Sequence, residues 1–200
     1  MKTRIASIIT MFVVVLGISK TTYAAPVNNA AVTTLTGISA INKIEVHGNV
    51  ELFISDGSTD QVKVYNKYYS ESALVQSAKG VLRITSYNAE KLVVWVTAND
   101  LRSIAAYDNA EVRSFGDISK IEFAVELHNN ASAKLNFEAY AANVTVNDQA
   151  KADLTGSATT FSLNRAVASN VNNHNFSAVN FIEKKNAIPA ETKDDDMTGI

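Results

Sequence analysis

Glu122 and Glu126 are the carboxylates that come closest to a hydrolytic pair. They alternate with apolar residues in Ile121-Glu122-Phe123-Ala124-Val125-Glu126-Leu127. If Ile121, Phe123, Val125 and Leu127 point inward, both glutamates point outward on one strand. Four residues at about 3.3 Å each then hold them about 13 Å apart, whereas a glycosidase pair works at about 5 to 9.5 Å. The spacing argues against acid–base cleavage. Later strands offer Thr145 and Ser162 at comparable outward places, with Asn143 and Thr160 beside them. Hydroxyls and amides hydrogen-bond sugars without cleaving them, and Tyr65, Tyr68, Tyr69 and Tyr87 supply rings for stacking. The candidate ligand face is therefore Asn143, Thr145, Thr160, Ser162, Tyr65, Tyr68 and Tyr69. The plainer alternative is a solvated sheet face with tyrosines at strand ends.

No catalytic residue is assigned, because other chemistry finds no foothold. His47, His128 and His174 are scattered and lack the spacing of metal ligands. No Gly-x-Ser-x-Gly elbow and no phosphate-cradling glycine loop occurs. Asp194-Asp195-Asp196 lacks the glycine and spaced ligands of a calcium loop. No cofactor and no metal is expected. With 18 Lys plus Arg against 20 Asp plus Glu, and no basic stripe interleaved with aromatics, nucleic acid is excluded as a partner class.

The elements that would carry this face lie behind an export signal. Met1-Lys2-Thr3-Arg4, an apolar run from Ile5 to Ile18 and the small residues up to Ala25-Pro26 are the three parts of a secretory signal peptide. Cleavage is expected after Ala24, and the run falls short of the roughly 20 apolar residues that span a bilayer. No transmembrane helix is expected after cleavage, so the chain is placed in the periplasm, at the outer surface or outside the cell. The sequence has no cysteine, which removes both a lipid-bearing N-terminal cysteine and any disulfide framework.

Residues 25–37 show no clear period and read as a flexible leader. Strand alternation starts at Ile44-Glu45-Val46 and continues in Val50-Glu51-Leu52-Phe53-Ile54 and Val62-Lys63-Val64-Tyr65. Asp56-Gly57 supplies a turn, and Lys79-Gly80 closes a hairpin between Leu74-Val75-Gln76 and Val81-Leu82-Arg83-Ile84. Leu92-Val93-Val94-Trp95-Val96 is apolar on both faces and is placed as an internal strand. Trp95 there is expected to be packed, not a ligand platform.

After residue 100 a repeat emerges. Asp108-Asn109-Ala110, Asn129-Asn130-Ala131, Asn147-Asp148-Gln149-Ala150 and Asn164-Arg165-Ala166 share an Asn/Asp corner followed by small residues, with the alanines 21, 19 and 16 residues apart. Asn and Asp tolerate the left-handed backbone that a sharp corner needs. A period near 20 built of short strands is the mark of a solenoid, since one rung cannot bury its own apolar side. Gly116 and Gly156 are expected at the opposite corner. Phe176, Val179 and Phe181 are expected to cover the last rung, and residues 183–200 read as a disordered charged tail.

Together these features resemble the DUF2807 family. The resemblance is carried by the signal peptide, the Ile44-Glu45-Val46-His47-Gly48-Asn49-Val50-Glu51-Leu52 opening, the hairpin at Gly80 and the corners after Leu101-Arg102-Ser103-Ile104. It covers about residues 38 to 180. The family is named for a putative auto-transporter adhesin head, or head GIN, domain and is common in Bacteroidetes. Its members usually carry Gly-Ser-Gly-type corners where this chain has Asn and Asp. The resemblance implies a right-handed parallel β-helix-like fold and no catalytic residues. The expected organisation is a signal peptide at 1–24, a leader at 25–37, an all-β solenoid at 38–182 with a more irregular N-terminal part, and a tail at 183–200. The function expected is non-enzymatic binding of a glycan or other cell-surface component in adhesion. The alternatives are a structural or stress-related envelope protein without a specific ligand and, last, a polysaccharide-active enzyme.

Overall fold

The computed structural model describes residues 32–36, 38, 40–65 and 73–186. Of these residues 73% lie in strands and none in a helix. The N-terminal part supplies β1 (Val32–Leu35), β2 (Lys43–Gly48), β3 (Val50–Asp56), β4 (Gln61–Tyr65), β5 (Ala73–Ala78), β6 (Val81–Ser86) and β7 (Leu92–Ala98). Then follow β8 (Ser103–Ala106), β9 (Glu111–Ser114), β10 (Ile118–Leu127), β11 (Ser132–Val146), β12 (Lys151–Ala166) and β13 (Asn170–Asn186). All join one open, curled sheet ordered β1-β4-β7-β3-β9-β11-β10-β8-β2-β6-β5, with β12 on β11 and β13 on β12.

That order runs along one arm, turns at β11 and returns along a second. The first arm holds β1, β4, β7, β3 and β9; the second holds β5, β6, β2, β8 and β10. β11, β12 and β13 belong to both, because each of these long strands is bent partway. Strand alternation sends Ile44, Val46, Leu52, Ile54, Val94, Val112, Val125, Val144 and Leu163 to the concave side, where they form one buried cluster. From β8 onward the pairing is parallel, each strand returning beside the previous one after 19 to 21 residues.

The Asn/Asp corners take the conformation their residue types allow. Asp108, Asn129 and Asp148 have φ of 61°, 57° and 52°, and each opens a turn closed from the residue before it: Ala110 N to Tyr107 O, Ala131 N to His128 O and Ala150 N to Asn147 O. The corners also bond to one another. Asn129 Oδ1 accepts from Asp108 N at 3.2 Å and Asp148 Oδ2 from Asn129 N at 2.8 Å, while Asp108 Oδ2 reaches Gly48 N at 3.2 Å.

Several expectations need correction. The fourth corner is not Asn164-Arg165-Ala166: Asn164 and Arg165 pair with Thr145 and Val146 inside β12, and the turn is Ala166–Ser169. Ser169, buried, takes the place held by Ala110, Ala131 and Ala150, so the last interval is 19 residues instead of 16. Ile121 points outward and is 78% exposed. The β10–β11 ladder skips Ile121 and Tyr140, and the next ladders skip Thr159 and Val179. These four residues mark the second bend, which resets the inward phase so that it begins at Phe123. Gly156 is not at that bend; it lies within β12 between Phe137 and Phe176. Gly116 does turn the chain between β9 and β10, with φ of 79°.

The ends also differ. Val32–Leu35, placed in the leader, pairs antiparallel with Val62–Tyr65. β13 runs on through Glu183–Asn186, placed in the tail, because Arg165 Nε holds Glu183 at 2.6 Å and the strand stays paired with β12. β13 is thus a full strand whose inward positions turn polar at Glu183 and Lys185, opposite Leu163 and Arg165. A charged last layer stops the apolar columns. The proposed signal peptide and residues 187–200 lie outside the described residues.

Candidate binding faces

The second arm carries the polar face expected from sequence. On its outer side Asn143 lies in register between Ala124 and Ser162, and Thr160 lies beside Ala141. Alternation does this: Phe123, Val125, Ala142, Val144, Phe161 and Leu163 are buried, so the residues between them face out. Small side chains at Ala124 and Ala141 leave a shallow groove of about 360 Å³ lined by Asn143, Thr160 and Ser162, with Arg102 and Glu122 also contributing. Asn164 Nδ2 reaches Asn143 Oδ1 at 3.5 Å. Thr145 sits outside the groove, two positions along β11 and opposite Asn164. Tyr65 is far from it in the topology, on β4 of the other arm, and Tyr68 and Tyr69 lie outside the described residues.

The carboxylates around these faces are tied to cations. Glu45 is held by Lys43 at 2.9 Å and Arg83 at 2.7 Å, and the hydrogen bond from Lys43 is the chief reason its carboxyl sits below the usual range. Lys91, 2.7 Å from Glu111, lowers that carboxyl in the same way, with help from Arg113. Arg102 lowers Asp100 through a 2.6 Å hydrogen bond. A glycosidase general acid needs its pKa raised so that it carries a proton near neutrality. These three shifts go the other way. Glu122 and Glu126 both stand exposed on the outer side of β10, suited to hydrogen bonding and solvation. Among the described residues no three His, Asp or Glu side chains converge on a metal-sized site.

Two aromatic groups were not anticipated. Tyr107 is sandwiched between His47 at 4.4 Å and His128 at 4.7 Å, the rings nearly coplanar in stacking, and Asn147 Nδ2 continues this column to His128 Nδ1 at 3.3 Å. On the first arm Phe53 and Trp95 stack at 4.7 Å, Phe115 meets Trp95 edge-on at 5.1 Å and Tyr65 lies tilted at 6.5 Å. Trp95 is internal in the sheet and packed, as expected, yet it packs on the outer side. The signal was present in Leu52-Phe53-Ile54 and Val94-Trp95-Val96, where the large ring falls out of phase with the buried pair around it.

The sequence profile of the family described as "Putative auto-transporter adhesin, head GIN domain", DUF2807, matches residues 40–184. This chain belongs to the DUF2807 family. The match takes in both arms of the sheet, the groove and the aromatic groups. Solved structures similar to this DUF2807 chain include a protein described as a putative adhesin from Bacteroides fragilis, with a TM-score of 0.66 at 13% identity, covering 78% of this chain and 77% of that one. Another, described as a putative adhesin from Parabacteroides merdae, gives 0.56 at 13% identity over 78% and 79%. A third, from Parabacteroides distasonis and described as a putative lipid binding protein, gives 0.60 at 8% identity over 77% of each chain. At such identities the likeness concerns the fold. No curated protein matches the sequence.

Proposed function

We propose that this DUF2807 chain is an exported, non-enzymatic binding domain of the cell envelope that acts in adhesion, with its repeats wound as a right-handed β-helix-like solenoid behind a signal peptide at residues 1–24. The family description and the adhesin-like neighbours support an adhesive role. The observation that carries it is the outer face of the second arm. Asn143, Thr160 and Ser162 converge on a groove floored by alanines, a set of donors and acceptors fitted to hydroxyl-rich ligands. The carboxylates with displaced pKa are all held ionised, which favours binding over turnover. The partner proposed is a glycan or another cell-surface component.

Protease treatment of intact cells, with the domain followed by antibody, tests the location. Digestion without permeabilisation supports a surface adhesin; protection until the outer membrane is opened removes that reading. A glycan array probed with the purified protein tests the partner, and selective signals that weaken in Asn143→Ala and Thr160→Ala locate it at the groove.

A further inference from the structure

The outward residues of the first arm form a grid fixed by strand register. One row across β4, β7, β3, β9 and β11 reads Lys63, Trp95, Phe53, Arg113, Lys134. The row on one side holds Val93 and Glu51 with Tyr65 and Glu111; the row on the other holds Thr97 and Ser55 with Gln61. Phe115, in the turn after β9, is 62% exposed yet meets Trp95 at 5.1 Å, and its N–H donates to Ile54 O at 2.7 Å. The stacked Phe53 and Trp95 rings, a rigid support, thus hold an exposed aromatic ring in place. A large exposed aromatic held on a rigid base is an affinity-bearing feature, because little side-chain entropy remains to be lost on binding.

The polar groups around the rings narrow the ligand class. Arg113 is neutralised by Glu51 at 3.0 Å and Glu111 at 3.2 Å, and the hydroxyls of Ser55 and Thr97 lie 3.1 Å apart. The face therefore combines aromatic surface, planar hydrogen-bonding groups fixed in ion pairs, and hydroxyls. An anionic ligand would have to compete with Glu51 and Glu111 for Arg113. A purely apolar one would leave those polar groups without water or partner. A pyranose has an apolar C–H face and equatorial hydroxyls, and matches both halves of the surface.

We propose that Phe115, supported by Trp95 and Phe53 and flanked by Arg113, Glu51, Ser55 and Thr97, is a second saccharide site that stacks neutral pyranose units. This rests on the reading of the chain as a binding domain and assigns part of that role to the opposite arm from the Asn143 groove.

Trp95 is the sole tryptophan of the chain, so its emission reports on this site alone. The experiment is titration of the full chain with hexasaccharides of β-1,4-linked glucose, xylose, mannose and N-acetylglucosamine, read by Trp95 fluorescence and by calorimetry. At least one is expected to give a saturable change in emission. Phe115→Ala, at an exposed turn position, should keep the circular dichroism spectrum and weaken that binding about tenfold or more, while Asn143→Ala leaves it unchanged. Binding seen by calorimetry that leaves Trp95 emission untouched and is lost in Asn143→Ala overturns this site and keeps the proposed function at the groove. Heat and emission both silent for every hexasaccharide overturn it as well; selective array signals from other surface components would then still sustain the adhesive reading. A concentration-dependent emission change without sugar, abolished in Phe115→Ala, would make a second copy of the chain the occupant and likewise overturn it.

Discussion

The rings of Phe137 and Phe176 lie 4.8 Å apart although a complete strand runs between their backbones. Gly156 is the residue between them, and its missing side chain lets the rings meet. Its φ is 114°, and an added Cβ would stand 2.0 Å from the Phe137 carbonyl oxygen. Gly156→Ala is therefore expected to destabilise the protein by at least about 2 kcal/mol, through backbone strain and a clash with main chain that cannot move aside. Chemical denaturation measures this; an unchanged midpoint would remove the account of the glycine.

The corner ladder makes a second prediction. Asn129 combines a φ of 57° with acceptance of a hydrogen bond from Asp108 N and donation of its own N–H to Asp148. Asn129→Ala keeps the left-handed backbone but loses the side-chain acceptor, and should cost about 1–2 kcal/mol. Asn129→Gly relieves the backbone while losing the same acceptor, so it should melt between Asn129→Ala and the parent. Equal losses in the two would show that the conformation carries no cost.

Inward and outward positions on β10 are separated by a third test. Val125 is 1% exposed and Glu126 faces solvent. Val125→Asp places an unpaired carboxylate in the core and should cost on the order of 3–5 kcal/mol, whereas Glu126→Ala should stay within about 0.5 kcal/mol. Comparable melting temperatures for the two would reverse the assignment.

Acid sensitivity follows from Glu45 and Glu111, whose carboxyls sit below their ordinary range because Lys43 and Lys91 hydrogen-bond to them. A carboxyl depressed in the folded state stabilises the fold at pH values above its unfolded pKa, and that contribution fades as pH falls through the folded value. Stability should therefore decline below the ordinary carboxylate range, and Lys91→Ala should flatten part of that decline while costing about 1 kcal/mol or less near neutrality, since the pair is partly exposed. Denaturation midpoints between pH 3 and 7, on the order of the carboxylate range, check it. An acid limb identical in Lys91→Ala would detach Glu111 from the effect.

Much of this organisation was legible from residue order. Alternation in Ile44-Glu45-Val46 and Val62-Lys63-Val64 marked strands and their buried sides, because the two-residue period is a local property of extended backbone. The Asn and Asp types marked corners at Asp108, Asn129 and Asp148, because few other side chains accept a left-handed backbone. The groove residues Asn143, Thr160 and Ser162 could be grouped since a constant interval brings equivalent positions together. Where the interval was misjudged, at Ala166, the corner was misplaced by three residues. Bends and register are another matter: which residue a ladder skips depends on the strand beside it, so Ile121 could not be turned outward from its own neighbours. The sequence by itself determined the strands, the corner types and the near-20-residue repeat, all set by local backbone preference. Only the tertiary structure decided that Phe137 touches Phe176 across Gly156 and that Phe53, Trp95 and Phe115 share one outer face, because pairing between strands distant in the chain is chosen by the packing of the whole sheet.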